Sequence, residues 1–273
     1  MWAPARRLTE ADLRRDPLPL LGKVALVTGA SRRTGIGYAI SRRLAAYGAS
    51  VFVHHFSPHD AAQPWGADEV TAVVDGVRSA LAAPDARVAD SSADLADPSA
   101  PAQLVAAAVA ELGGLDILVC NHARSGSDGP LSSMTAAVLD GHWTVNTRAS
   151  ILLAREFAAL GGPGRVIFMT SGQNIGPMPD EVAYAASKGA LWSITATLAD
   201  ELADQGITVN TVNPGPVDTG YAPPDAHAAV AARFPGGSWG APDDPARLIA
   251  WLATDEARWI TGQVINSEGG FRR

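Results

Sequence analysis

A short β-branched run, Lys23-Val24-Ala25-Leu26-Val27-Thr28, leads into the glycine-rich stretch Gly29-Ala30-Ser31-Arg32-Arg33-Thr34-Gly35-Ile36-Gly37 and then into an amphipathic segment from Tyr38 to Tyr47. The order strand, tight turn, helix restricts this chain more than any other feature it carries. Glycines let a backbone approach an anion closely, and the helix that follows offers unpaired N–H groups and the positive end of its dipole to the same anion. A glycine pattern by itself is more often a plain loop, but directly after a first strand it is a candidate nucleotide cradle. Apolar runs near Val24, Val51, Val88, Ile117, Val166, Thr208 and Val264 alternate with helical patterns along the rest of the chain. That alternation predicts an α/β, doubly wound sheet of about seven parallel strands with helices on both faces. Nothing in the pattern suggests a repeat or a linker, so residues 1–20 are expected to be an N-terminal extension and residues 21–273 one domain.

The second informative stretch is Tyr184-Ala185-Ala186-Ser187-Lys188, inside a long apolar-periodic segment. On a helix the phenol and the ammonium share one face, roughly 6 Å apart. A free tyrosine titrates near about 10, and a neighbouring cation stabilises its phenolate, so the pair is a candidate proton-transfer device. Of the 21 lysines and arginines in the chain only Lys23 and Lys188 are lysine. Arginine evidently serves wherever a generic positive charge is enough, which singles out Lys188 as a compact donor able to reach a ribose hydroxyl. Alone, this pattern is more often an ordinary solvated helix face.

Taken together, TGASRRTGIG near the N-terminus and YAASK about 150 residues later resemble the short-chain dehydrogenase/reductase family over nearly all of Leu21 to Gly270. Further matches fall in the family's order: Asp94-Leu95, Cys120-Asn121-His122-Ala123, Asn146, Ser171, and Asn213-Pro214-Gly215 followed by Thr219. The lengthened glycine turn, the TSGQ segment, the NPGPVDTG loop and the WITGQVINSEGG ending are similar to a bacterial subgroup labelled 3-oxoacyl-(acyl-carrier-protein) reductase. The resemblance implies a Rossmann-type fold and a reductase that adds hydride to a carbonyl. It implies that Tyr184 is the general acid/base, that Ser171 binds the substrate oxygen, that Lys188 holds the nicotinamide ribose and lowers the tyrosine pKa, and that Asn146 holds a water in a proton relay. It also implies cofactor contacts from Gly29, Ser31, Arg32, Arg33, Gly35, Ile36, Gly37, His55, Ser57, Asp94, Leu95, Asn121, His122, Ala123, Pro214, Gly215, Val217 and Thr219. On their own, Ser171 is equally a residue that ends a strand and Asn146 a helix hydrogen-bonding residue.

The chain departs from the family pattern in three places. Five residues separate Gly29 from Gly35, where the family has three, and the enlarged turn carries Arg32 and Arg33 near the expected adenosine ribose. A guanidinium there can hold a 2′-phosphate bidentately. Cys120 stands where the NNAG motif has its first asparagine, with His122 and Ala123 in its third and fourth positions, and this puts the motif's backbone support in question. Glu268 replaces a frequent aspartate. At the end of the second strand His55 takes the position where enzymes that use NAD place a carboxylate, and no carboxylate comes before Asp60. With Ser57 as a further donor, NADP(H) is favoured and NAD(H) stays open.

The remaining expectations come from composition and from the C-terminal half. A single cysteine rules out an intramolecular disulfide and suits a reducing compartment. No apolar stretch reaches membrane-spanning length, and Met1 to Leu20 lacks a signal-peptide core, so a cytoplasmic location is expected. A net charge of −7 argues against nucleic acid. Arg6, Arg7, Arg14 and Arg15 read as a solvated arm or a short surface helix. His54, His55, His59 and Asp60 suggest metal ligation, but strand alternation turns the first two to opposite faces. Trp239, Trp251 and Trp259 read mainly as core or subunit packing. By resemblance, residues 216–242 form a lid and Ile260 to Val264 belong to a strand through which family members tetramerise. Tyr221, Phe234 and Trp239 in the lid suit an apolar or ring-bearing substrate. The lid has no basic cluster for an acidic carrier protein, though Arg124, Arg148 and Arg155 could supply charge near the entrance. Two readings outside catalysis are an idle nucleotide-binding regulator and a scaffold built on the tryptophans. The intact set Asn146, Ser171, Tyr184 and Lys188 argues against both.

Overall fold

The computed structural model describes Glu10 and residues 13–273; Arg6 and Arg7 lie outside the described residues. Seven short segments, most of them apolar or β-branched, form one parallel sheet: β1 (Val24–Val27), β2 (Ser50–His55), β3 (Val88–Ser92), β4 (Ile117–Cys120), β5 (Gly164–Met169), β6 (Ile207–Asn213) and β7 (Val264–Asn266). Their order is β3-β2-β1-β4-β5-β6-β7. The chain runs outward to β3 and then crosses back to β4, so the C-terminal ends of β1 and β4 sit side by side at the switch point of the sheet, where open α/β sheets bind ligands.

Helices α1 (Ile36–Ala46), α2 (Ser57–Ala61), α3 (Val70–Arg78), α4 (Ala100–Leu112), α5 (Ala136–His142), α6 (Ala149–Ala159), α7 (Val182–Glu201), α8 (Pro224–Ala231) and α9 (Asp243–Leu252) connect and flank the strands. Side chains alternate across the sheet as the pleat requires. Ala25, Val27, Val51, Val53, Ile117 and Val119 face one layer with Ile40 and Leu44 of α1, Val77 of α3 and Ile249 of α9. Leu26, Phe52, Leu118, Val166 and Phe168 face the other, against Leu104 of α4, Leu153 and Phe157 of α6 and Leu191 of α7. The central strands are therefore apolar on both faces, which is why they read as continuous apolar runs and not as alternating ones. Among the described residues no helix is long and apolar enough to cross a membrane.

Between α5 and α6 the backbone widens into a π-helical segment, Trp143–Arg148. Such segments insert an extra residue into a helix and often mark functional positions. This one buries Asn146 completely.

Close packing between β5 and α6 gives a simple test of the core. A Cβ added at Gly164 would stand 2.5 Å from Phe157 Cζ and 3.1 Å from the Asp116 carbonyl oxygen, whereas at Gly114 it would meet nothing within 4 Å. Gly164→Ala is expected to cost about 1–3 kcal/mol, seen as a lower urea midpoint with an unchanged slope, and Gly114→Ala is expected to be near neutral.

Candidate active site

At the switch point, Gly29 leaves β1 with φ +72° and packs so closely on the loop after β4 that an added Cβ would lie 2.6 Å from His122 Cα. The Asn121 side-chain amide donates to the carbonyl oxygens of Thr28 (3.1 Å) and Gly29 (3.0 Å). Gly37, in the first turn of α1, is needed for the same reason, since a Cβ there would meet the Gly29 oxygen at 2.6 Å and Asn121 Nδ2 at 2.7 Å. No side chain caps α1. Its first-turn N–H groups therefore have no partner within the helix and are open to an acceptor from outside it.

Two histidines brace this turn, a role that inspection of the chain did not assign to them. His54 Nδ1 accepts from the Gly29 N–H (3.1 Å), and its Nε2 lies 2.9 Å from the Ala93 carbonyl oxygen. His122 Nδ1 lies 2.6 Å from the Thr28 hydroxyl, and its Nε2 lies 2.9 Å from the Val145 carbonyl oxygen in the π segment. Both carbonyls need a donor, so each ring is the neutral Nε2–H tautomer by hydrogen-bond logic. Burial pushes His54 down to about 4 and His122 well below its ordinary value. The backbone support that Cys120 put in question is thus supplied by Asn121 and by His122. Cys120 itself is buried in the core, where burial pushes its thiol up to about 12.

The second half of the site hangs on the start of α7. Glu181 precedes the helix without capping it. The Asp128 carboxylate does so from the loop after β4, accepting from the N–H groups of Gly129 (2.8 Å), Ala183 (3.0 Å) and Tyr184 (2.7 Å). That loop turns through Gly126 (φ +78°) and Ser127 (φ +52°), the latter a left-handed conformation unusual outside glycine. Tyr184 and Ser171 both line the cavity, and the His142 ring meets the Tyr184 ring edge-on at 6.3 Å. Burial raises the phenol above its ordinary pKa, with Glu181 and Tyr221 acting in the same sense and Ser171 opposing. Lys188 does not produce the expected depression. Its buried Nζ lies 5.8 Å from the Tyr184 ring centre and donates to the Met169 carbonyl oxygen at 3.0 Å, and burial lowers the ammonium to about 8.

These groups line a cavity of about 1050 Å³ together with Gly29, Ser31, Arg32, Ile36, Asp94, Leu95, Asn121, His122, Ala123, Pro214, Gly215, Val217 and Thr219. Six residues expected at the site stand outside its lining. Gly35 and Gly37 act behind the surface by shaping the turn. Arg33 turns outward to Asp68 (3.5 Å). His55 faces away from the cavity, with Nε2 3.1 Å from Asp90, because strand alternation opposes it to His54. The Ser57 hydroxyl is buried without a hydrogen-bond partner. Asn146 is buried, its amide accepting from Arg124 N (2.6 Å) and donating to Arg124 O (3.2 Å) and Ser187 Oγ (3.0 Å).

Trp65, which was not anticipated there, completes the wall with Arg32, Tyr221 and Trp239. Arg32 reaches Asp60 (3.4 Å) and the Thr219 carbonyl oxygen (3.0 Å) and lies 5.4 Å over the Trp65 ring. Trp65 meets Tyr221 edge-on, and Tyr221 meets Trp239 in the same way. Trp239 stacks on His227, donates to its carbonyl oxygen and lines the cavity, in keeping with its reading as a lid residue and not with core packing.

A crossed parallel sheet with a glycine turn at its switch point, opposite a helix bearing a half-buried tyrosine and a buried lysine on one face, defines a nucleotide-dependent oxidoreductase of the Rossmann type. The family described as "Enoyl-(Acyl carrier protein) reductase" matches residues 29–272. An uncharacterized oxidoreductase of Bacillus subtilis (strain 168), YjdA, is 43% identical over 92% of this chain and 97% of its own. An NADPH-dependent aldehyde reductase-like chloroplastic protein of Arabidopsis thaliana is 34% identical over 96% of this chain and 99% of its own. Among solved structures, a short-chain dehydrogenase of Burkholderia cenocepacia J2315 in complex with NADP is 39% identical, with a TM-score of 0.81 over 92% of this chain and 98% of that one. The chain belongs to the short-chain dehydrogenase/reductase family and is an oxidoreductase.

The histidine braces make the fold sensitive to acid. A ring held neutral in the folded state and free to charge at about 6.5 when unfolded binds fewer protons folded than unfolded, so stability is complete above pH 6.5 and declines as pH falls toward about 4. Denaturant titrations across that window are expected to show the decline, with a shallower slope in His54→Gln.

Proposed function

We propose that the protein reduces a carbonyl to a secondary alcohol with NADPH, Tyr184 delivering the proton. The observation that carries this reading is the Tyr184 phenol, kept protonated at neutral pH by burial and facing the same cavity as Ser171, with a buried lysine 5.8 Å from its ring. The nicotinamide, when bound, supplies the hydride. Negative charge then grows on the carbonyl oxygen, where two hydroxyl donors stabilise it and one gives up its proton. Lys188, which titrates near about 8, carries positive charge at neutral pH and offsets the phenolate that remains. Asn146 acts in this reading as a positioning residue that registers the loop after β4 against Ser187.

The residues fit a dinucleotide. The uncapped start of α1 and the close-packed Gly29 suit a pyrophosphate, and Asp94 and Leu95 line the cavity beyond it. NADPH is preferred in this reading through Arg32, whose guanidinium fits a 2′-phosphate. The NADP bound in the Burkholderia relative and the NADPH dependence named for the Arabidopsis one support the choice. A thioester on an acidic carrier protein is disfavoured, because the exposed side chain of Glu181 and neighbouring Asp180 border the cavity. We also read β7, at the edge of the sheet, as a contact of a homotetramer.

Two experiments test the proposal. Tyr184→Phe keeps the ring against His142 and is expected to lose at least about 100-fold in carbonyl reduction, with NADPH affinity retained; unchanged turnover would point to a nucleotide-binding role without this chemistry. By nicotinamide fluorescence, Arg32→Ala is expected to weaken NADPH about 10-fold and NADH much less, and Arg33→Ala, whose parent side chain is held by Asp68, to alter neither.

A further inference from the structure

Three guanidinium groups line the cavity, those of Arg32, Arg124 and Arg273. Two are paired with carboxylates, Arg32 with Asp60 and Arg273 with Glu268. The third has no such partner: among the described residues only the backbone of Arg124 is hydrogen-bonded, through Asn146. Its guanidinium rests on Gly141 of α5, where an added Cβ would meet Arg124 Cζ at 3.0 Å, Nη1 at 3.1 Å and Nε at 3.2 Å. Glycine at that position gives the planar group room to lie against the helix, so the side chain has a seat although it has no counter-ion.

A half-buried cation without a partner carries a desolvation cost that an incoming anion relieves. Arginine stays charged under all ordinary conditions and presents a flat fork that matches a carboxylate. The position of the group is marked by its seat on Gly141, the residue before His142, whose ring lies edge-on to Tyr184 at 6.3 Å. Its charge bears on His59 as well as on His142, so Arg124 stands in the wall between the Tyr184 side and the α2 side of the cavity. Of the nearby carboxylates, Asp128 already accepts from three backbone N–H groups and makes no ion pair with it. The indole of Trp239 and the phenol of Tyr221 line the same cavity.

We propose that Arg124 is a specificity-determining residue, whose guanidinium receives the carboxylate of a ring-bearing oxo acid while its ketone faces Tyr184 and Ser171. This rests on the reductase reading given above. A site built around a polar group rejects analogues that lack it, because the group is then left buried and unpaired. The same fork matches a cofactor phosphate, and the experiment separates the two sources.

The probes are 4-oxo-4-phenylbutanoate and its methyl ester, which share the ketone and the ring and differ in the charge. Binding to the NADP⁺-saturated protein is followed by tryptophan fluorescence, and turnover by NADPH consumption. In the wild type the acid is expected to exceed the ester at least about 10-fold in both affinity and kcat/KM. Arg124→Met is expected to abolish that preference with the ester, the melting temperature and the NADPH affinity unchanged, and Arg124→Lys to keep part of it. Equal or absent binding of the two probes by the wild type, or a preference that survives Arg124→Met, overturns the proposal. So does a 10-fold loss of NADPH affinity in Arg124→Met with the acid-to-ester ratio intact, which assigns the guanidinium to a cofactor phosphate. Arg124-dependent binding of the acid without consumption of NADPH sinks the reductase reading and leaves the anion site standing.

Discussion

The ends of β1 and β4 can meet as they do only because Gly29 has no side chain. A Cβ there would lie 2.6 Å from the His122 backbone, closer than non-bonded atoms approach, and φ +72° is itself costly for any other residue. Much of the site depends on that contact. It brings Asn121 within reach of two carbonyls of the turn, sets His122 under Thr28, and launches from β4 the loop that carries Arg124 and Asp128. Asp128 then holds the first turn of α7, so the placement of Tyr184 is linked through one loop to the packing of a glycine on the far side of the cavity.

Burial governs the electrostatics of this region and acts with opposite sense on different groups. It disfavours every charged form, which lowers His54, His122 and Lys188 and raises Tyr184 and Cys120. The histidines end neutral and serve as braces with one donor and one acceptor each. The phenol keeps its proton. Lysine starts from a value high enough that, even lowered to about 8, it carries most of its charge at neutral pH, and the Met169 carbonyl oxygen is its hydrogen-bond acceptor. A guanidinium in that place would have two more N–H groups to satisfy in a pocket that offers one carbonyl, which accounts physically for a lysine at 188 in a chain that otherwise relies on arginine.

Most of the strands were readable because each is a local apolar run, and all seven lie where the pattern put them, β3 (Val88-Ala89-Asp90-Ser91-Ser92) on the strength of its first two residues alone. Tyr184 and Lys188 were readable because helical spacing is local as well. What eluded inspection of the chain depends on residues distant in sequence. Asp128 is 56 positions from the Tyr184 N–H that it accepts, and no short-range signal marks a loop carboxylate as the cap of a later helix. Arg32 and Arg33 looked alike, and only the path of the enlarged turn sends one into the cavity and the other to Asp68. The pleat of β2 did contain the placement of His55: once His54 faces Gly29, its neighbour has to face away. Trp239 carried two readings, packing and a ring in the lid, and it is the second that its place in the cavity lining fits; the stacking on His227 that sets the ring forms within the 216–242 segment itself.

Asn146 connects the two chemical ends of the cavity. Its buried amide is fully engaged, one side on the backbone of Arg124 and the other on Ser187, the residue directly before Lys188. An ordinary α-helical turn spaces side chains at 3.6 residues, and the π segment adds a residue just where the amide has to point into the gap between loop and helix. A helix of regular pitch would present a different face there, and the loop carrying Arg124 would lose its register with α7. The backbone irregularity is therefore what lets one side chain hold the anion-facing arginine and the helix of the tyrosine and lysine in a fixed relation.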